Sequence, residues 1–100
     1  MNKCVIYART AVEDPVALKR QVRAMRKFAK ENGFKVDQVF REYGSGLETN
    51  PALSHLLQEV KSGNVKVILA VDFTRVTRKL SDWLEIDRLL KEKEVELITT

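Results

Sequence analysis

The sequence is poor in residues that build covalent or metal-held scaffolds. Cys4 is its one cysteine and His55 its one histidine. A single thiol forms no disulfide framework and no multi-cysteine metal site, and a single imidazole argues against a histidine-rich metal centre. Long hydrophobic runs are absent too. No stretch approaches the length of a membrane-spanning helix, and no charged-then-apolar leader opens the chain. The expectation is a cytoplasmic protein with no membrane association.

What is present is ordinary globular material. One hundred residues make one domain, and 44% apolar with 32% charged residues suits a soluble fold. The net charge of +4 is compatible with an anionic partner such as nucleic acid, but the placement of charge says more than its sum.

The chain alternates between two hydrophobic periods. Lys3 to Arg9 reads as a buried strand, β1, because Cys4 to Ala8 is almost wholly apolar. Asp14 is placed to cap a helix that has Pro15 at its first position, and this helix, α1, runs to about Asn32. Its inner stripe is Leu18, Val22, Met25 and Ala29, and Gly33 stops it. A second strand, β2, lies within Phe34 to Tyr43. Asn50-Pro51 opens a second helix, α2, which ends near Ser62-Gly63 and turns Leu53, Leu56, Leu57 and Val60 inward. Val65 to Val71, apolar except for Lys66, reads as a strand, β3, of the kind found in parallel sheets covered on both faces. Phe73 to Lys79 reads as a polar loop. Leu80 to Lys91 forms a third helix, α3, with Trp83, Ile86, Leu89 and Leu90 apolar, and Val95 to Thr100 a fourth strand, β4. Strict β-α alternation predicts a three-layer α/β fold, with a parallel four-stranded sheet and helices on both faces, and the strand order expected of it is 2-1-3-4.

In such a sheet, ligands bind beyond the carboxyl ends of the strands where the strand order reverses, here between β1 and β3. Arg9 leaves β1 at that point, and Arg75 and Arg78 lie in the loop after β3. Arginine suits bidentate recognition of phosphate, and three converging guanidinium groups would stabilise a phosphodiester and its transition state. Three solvated surface arginines are the competing reading. Gly44-Ser45-Gly46 leaves β2 at the same edge and offers backbone amides. A phosphate-accepting receiver domain shares this architecture, and Asp72 stands where its aspartate would. Such a domain needs acidic residues after β1 to hold magnesium, however, and Arg9, Thr10 and Ala11 occupy that place. Along α1, Lys19, Arg23, Arg26 and Lys30 form one basic stripe, with Arg20 and Lys27 beside it. It reads either as a solvated helix face or as a contact for a DNA backbone. Trp83, Phe28, Phe40 and Cys4 read as core, and His55 as surface.

Several segments, taken in order, resemble the catalytic domain of the serine recombinases, the resolvase/invertase family. They are Tyr7-Ala8-Arg9, Leu18 with Gln21-Val22, Gly44-Ser45-Gly46, Pro51-Ala52-Leu53 with Leu56-Leu57, and Arg75 with Arg78. The resemblance spans essentially the whole chain. It implies site-specific DNA recombination, in which a serine two places after the β1 arginine attacks a phosphodiester and becomes linked to the DNA 5′ end. Arginines rather than metal ions serve the transition state, so no cofactor is expected. Double-stranded DNA is the implied partner, and a homodimer or tetramer the implied full-length assembly. The resemblance also implies a dimerisation helix and a DNA-binding domain beyond this catalytic domain of residues 1–100.

Residue by residue, Arg9, Arg75 and Arg78 match the phosphate-binding arginines of that family. Tyr7, Gln21 and Ser45 match active-site or supporting positions. The nucleophile position, however, is Ala11, which carries no attacking oxygen. Thr74 stands where the family has an aspartate, and Asn50 where it has an arginine, so the departures are not confined to one residue. Thr10 has a hydroxyl, but strand alternation directs it away from the Arg9 face. The expectation is a domain that keeps the fold and a phosphate-binding crevice but does not cleave. The alternatives are an active recombinase using Thr10 or Ser45, and a module that serves only oligomerisation or protein interaction.

Overall fold

A computed structural model describes residues 2–44, 51–71 and 80–100. The element order is β1 (Asn2–Thr10), α1 (Pro15–Glu31), β2 (Phe34–Tyr43), α2 (Pro51–Lys61), β3 (Val67–Ala70), α3 (Leu80–Glu92) and β4 (Glu96–Thr99). The four strands form one sheet in the order β2-β1-β3-β4, with all neighbours parallel. The fold is the expected one, and the helix and strand ends differ from expectation by a residue or two. The apolar run 65–71 pairs only over Val67–Ala70. Val65 is nevertheless buried, so burial extends further along this segment than the ladder does. The loop 73–79 lies outside the described residues.

Each face of the sheet has its own core. Cys4, Ile6 and Ala8 of β1, with Leu69 of β3, pack against Leu18, Val22, Met25 and Ala29 of α1. Val5 and Tyr7, with Ile68 and Ala70, pack against Leu53, Leu56 and Val60 of α2 and Ile86 and Leu90 of α3. Alternate residues of β1 thus feed opposite layers, as the two-residue period of a strand requires. The stripes expected of the three helices face inward, with Leu57, Trp83 and Leu89 half-buried at the edge of their layer.

Local signals set the helix ends. The Asp14 side chain accepts a hydrogen bond from the Ala17 backbone N–H at 3.0 Å, and Pro15 supplies a helix-ready φ at the first turn. At the other end of α1, Gly33 takes φ 75°, a left-handed conformation that costs glycine nothing. One irregularity marks the edge strand. The pairing of β1 with β2 shifts between Cys4 and Val5, whose partners are Val36 and Gln38, so Asp37 is the extra, bulged residue of β2.

Candidate active site at the carboxyl end of β1

Arg9 is the last buried residue of β1, only 1% exposed. A guanidinium so enclosed needs polar partners. One is the carbonyl oxygen of Gly44, at the end of β2, to which Arg9 Nη1 donates. Gln21 of α1 holds the Arg9 backbone from the other layer. Its side-chain oxygen accepts from Arg9 N at 3.0 Å, and its Nε2 donates to Arg9 O at 3.2 Å. Direct pairing of β1 with β3 covers only Val5 and Ile6. Gln21 therefore supplies to Arg9 the donor and acceptor that a neighbouring strand would provide. Gln21 acts as a positioning residue: it fixes where the arginine leaves the sheet.

Tyr7 lies two residues back on the same face and is fully buried. Its hydroxyl donates to Glu42 Oε2. Glu42 is the register partner of Arg9 on β2. Its two carboxylate oxygens also accept from the first amides of α2, Oε1 from Ala52 N at 2.9 Å and Oε2 from Leu53 N at 3.1 Å. An anion at a helix amino terminus meets both unsatisfied N–H groups and the positive end of the helix dipole. Glu42 thus ties β1, β2 and α2 together immediately beside Arg9. The sequence reading missed this residue. The available signal was a carboxylate two positions after the inward-facing Phe40, and so on the same face of β2, just ahead of a helix start.

Beyond Arg9 the chain turns outward. The Thr10 hydroxyl donates to the Val12 carbonyl at 2.7 Å, and the Thr10 carbonyl accepts the Gly44 amide at 2.9 Å. Ala11 is exposed, and Val12 is 71% exposed. The expectation that Gly44-Ser45-Gly46 offers free backbone amides is therefore corrected at Gly44: its N–H continues the strand ladder instead. Ser45, Arg75 and Arg78, together with Asn50 and Thr74, lie outside the described residues. Among the site residues expected from the sequence, the structure joins Arg9 to Gln21, sets Tyr7 two residues before Arg9 in β1, and leaves Ala11 exposed just beyond the strand.

Elsewhere the chemistry-bearing residues are structural. Burial pushes the Cys4 thiol above its ordinary range, which keeps it a neutral core group. His55 sits on the surface of α2, 3.7 Å from Glu59 and edge-on to the Phe40 ring. Among the described residues there is no group of three or more carboxylate, histidine or cysteine side chains placed to hold a metal ion, and no helix long and apolar enough to cross a membrane.

This fold is shared with the catalytic domains of known serine recombinases. The family model described as Resolvase, N terminal domain, matches residues 4–100, and the chain belongs to that family, the catalytic domains of serine recombinases for site-specific recombination. The C-terminal catalytic domain of ISC1926 TnpA, an IS607-like serine recombinase, is 30% identical with a TM-score of 0.89; the match covers 97% of this chain and 68% of that one. The corresponding domain of IS1535 TnpA, also IS607-like, is 30% identical with a TM-score of 0.76, covering 95% of this chain and 68% of that one. A resolvase-family site-specific recombinase from Streptococcus pneumoniae is 21% identical and shares the fold, with a TM-score of 0.85 over 99% of this chain and 72% of that one.

Proposed function

We propose that this domain binds the DNA phosphodiester backbone at the crevice beside β1, through Arg9, Arg75 and Arg78, and does not cleave it. The observation that carries the reading is the pairing of a held, buried arginine with a methyl group. Arg9 is fixed by Gln21 and Gly44, and two residues further along the chain is the exposed Ala11. Phosphoryl transfer through a covalent protein–DNA link needs an attacking oxygen, and alanine has none. Thr10 is a poor replacement, because strand alternation sets its side chain on the face opposite Arg9, where its hydroxyl bonds to the Val12 carbonyl. Electrostatic stabilisation by arginine survives the loss of the nucleophile, so binding and cleavage separate.

In this reading Tyr7 and Gln21 act through others: Tyr7 orients Glu42, and Gln21 orients Arg9. The remaining expectations belong to the proposal as well. They are Ser45 as a supporting residue, duplex DNA as partner, a dimer or tetramer as the full-length assembly, and a cytoplasmic setting.

Two experiments test the proposal. Incubation with supercoiled plasmid DNA, followed by denaturation with and without protease, is expected to leave no protein covalently attached. A protease-sensitive adduct would overturn the claim of lost cleavage and point to Thr10 or Ser45. Gel shifts of Arg75→Ala and Arg78→Ala against the parent are expected to show weaker, less salt-sensitive binding. Unchanged binding in both would remove the crevice from the function.

A further inference from the structure

The charge of this chain is concentrated on one helix. Within α1, Lys19, Arg20, Arg23, Arg26, Lys27 and Lys30 face Glu31 alone, leaving five net positive charges. The chain as a whole carries +4, so all other residues together contribute one net negative charge. All six cations are exposed. Lys19, Arg23, Arg26 and Lys30 are spaced by four, three and four residues. They line one side of the helix over roughly 16 Å at 1.5 Å per residue. Among the described residues, Lys27 is the α1 cation that reaches a carboxylate, Glu31 at 3.9 Å. Among the described residues, no ion pair joins a carboxylate to Lys19, Arg23, Arg26 or Lys30.

The stripe also ends in a concave surface. Arg26 and Lys30 meet Lys35, from the start of β2, around a cleft of about 350 Å³ that includes Gly33 and Phe34. Three cations and no carboxylate line it. Gly33 contributes no side chain, and the space where its Cβ would project is open. Like-charged side chains placed together on one convex helix and one adjoining cleft repel one another at some cost. The arrangement suits a polyanion that follows the helix.

We propose that the outward face of α1, continued into the Arg26–Lys30–Lys35 cleft, is a second contact surface for the phosphate backbone of duplex DNA, distinct from the crevice at the carboxyl end of the sheet. It rests on the family's action on DNA but not on the crevice reading. A lipid surface fits less well. An interfacial helix presents apolar residues to the membrane, whereas Leu18, Val22, Met25 and Ala29 of α1 are committed to the core. Lysine and arginine on an open helix face meet phosphates whatever the base sequence, so this contact is expected to position the domain on the duplex rather than to select a site.

The test is fluorescence anisotropy with a labelled duplex of about 30 base pairs and arbitrary sequence, titrated at salt between about 50 and 200 mM. Four phosphate contacts give a slope of log K against log salt of about −3.6, a loss of about 100-fold across that range. The variant K19Q/R23Q/R26Q/K30Q is expected to bind at least about tenfold more weakly at the lowest salt and to lose at least about two units of slope. The charge-keeping variant K19R/R23K/R26K/K30R is expected to retain both. All four side chains are exposed, so thermal unfolding of either variant should match the parent. R75Q/R78Q, with α1 intact, is expected to keep most of the slope, which separates this surface from the crevice. The proposal is overturned if the glutamine variant binds like the parent, if R75Q/R78Q loses all binding while the glutamine variant keeps it, or if the parent binds anionic lipid vesicles in preference to the duplex.

Discussion

The two faces of the sheet are built alike inside and unlike outside. On one face α1 alone contributes four buried residues, Leu18, Val22, Met25 and Ala29. On the other, α2 and α3 contribute Leu53, Leu56, Val60, Ile86 and Leu90. The outward sides diverge. Helix α1 carries five net positive charges. In α3, Asp82, Glu85, Asp87 and Glu92 outnumber Arg88 and Lys91, for a net charge of −2, and α2 is neutral with Glu59 and Lys61. Folding constrains the stripe that meets the sheet and leaves the solvent side free. The packing task shared by the two faces therefore does not dictate the charge difference between them.

The first way to break the comparison is to remove one core residue from each face. Met25→Ala and Leu56→Ala empty fully enclosed sites, and each is expected to cost about 2–5 kcal/mol in denaturant unfolding. A loss below about 1 kcal/mol on one face only would show that the two layers are not equivalent supports. Next in size is the junction beside Arg9. Glu42→Ala removes the acceptor of two α2 amides and of the buried Tyr7 hydroxyl, at an expected cost of about 2–3 kcal/mol. Tyr7→Phe removes one charge-assisted bond and should cost about 1.5 kcal/mol. The double variant is expected to fall short of the sum, because both changes break the same bond. Strict additivity would show that the two residues act independently.

The smallest effect compares the helix exits on the α2/α3 face. After α2, Gly63 takes φ 80° and the Asn64 N–H bonds to the Glu59 carbonyl at 3.0 Å. After α3, Glu94 takes φ 56° and the Val95 N–H bonds to the Leu90 carbonyl at 2.7 Å. The two exits close the same six-residue hydrogen-bonded turn. Only the second places a side chain in the left-handed region, so Glu94→Gly is expected to raise stability by about 0.5 kcal/mol, the relief of strain exceeding the added unfolded-state entropy. A decrease would mean that the Glu94 side chain contributes more than its backbone costs.

The sequence carried the fold because each element announces itself locally. The Asp14-Pro15 start, the Leu18-Val22-Met25-Ala29 stripe and the Gly33 stop are all read within a few residues of where they act. The apolar run of β3 marked a strand covered on both faces, and alternation of strand with helix pointed to parallel pairing. Arg9 was legible for the same reason, since it ends an apolar run at the edge where parallel sheets bind ligands. Gln21 and Tyr7 drew attention only through family resemblance, and the bonds they make were not legible. Gln21 meets Arg9 across 12 residues, and Tyr7 meets Glu42 across 35. No local period links such pairs; they meet because the crossover sets α1 and β2 against β1.

By itself, then, the amino-acid order determined the α/β layering, the composition of both cores and the absence of an attacking oxygen at position 11, because each depends on residue type and short-range spacing. Tertiary structure decided that Glu42 joins β1 to α2, that the Gly44 amide continues the strand ladder, and that Lys35 closes a cationic cleft with Arg26 and Lys30. Each of these is a meeting of groups distant in the chain, and distance in space is settled only when the strands are paired and the helices laid over them.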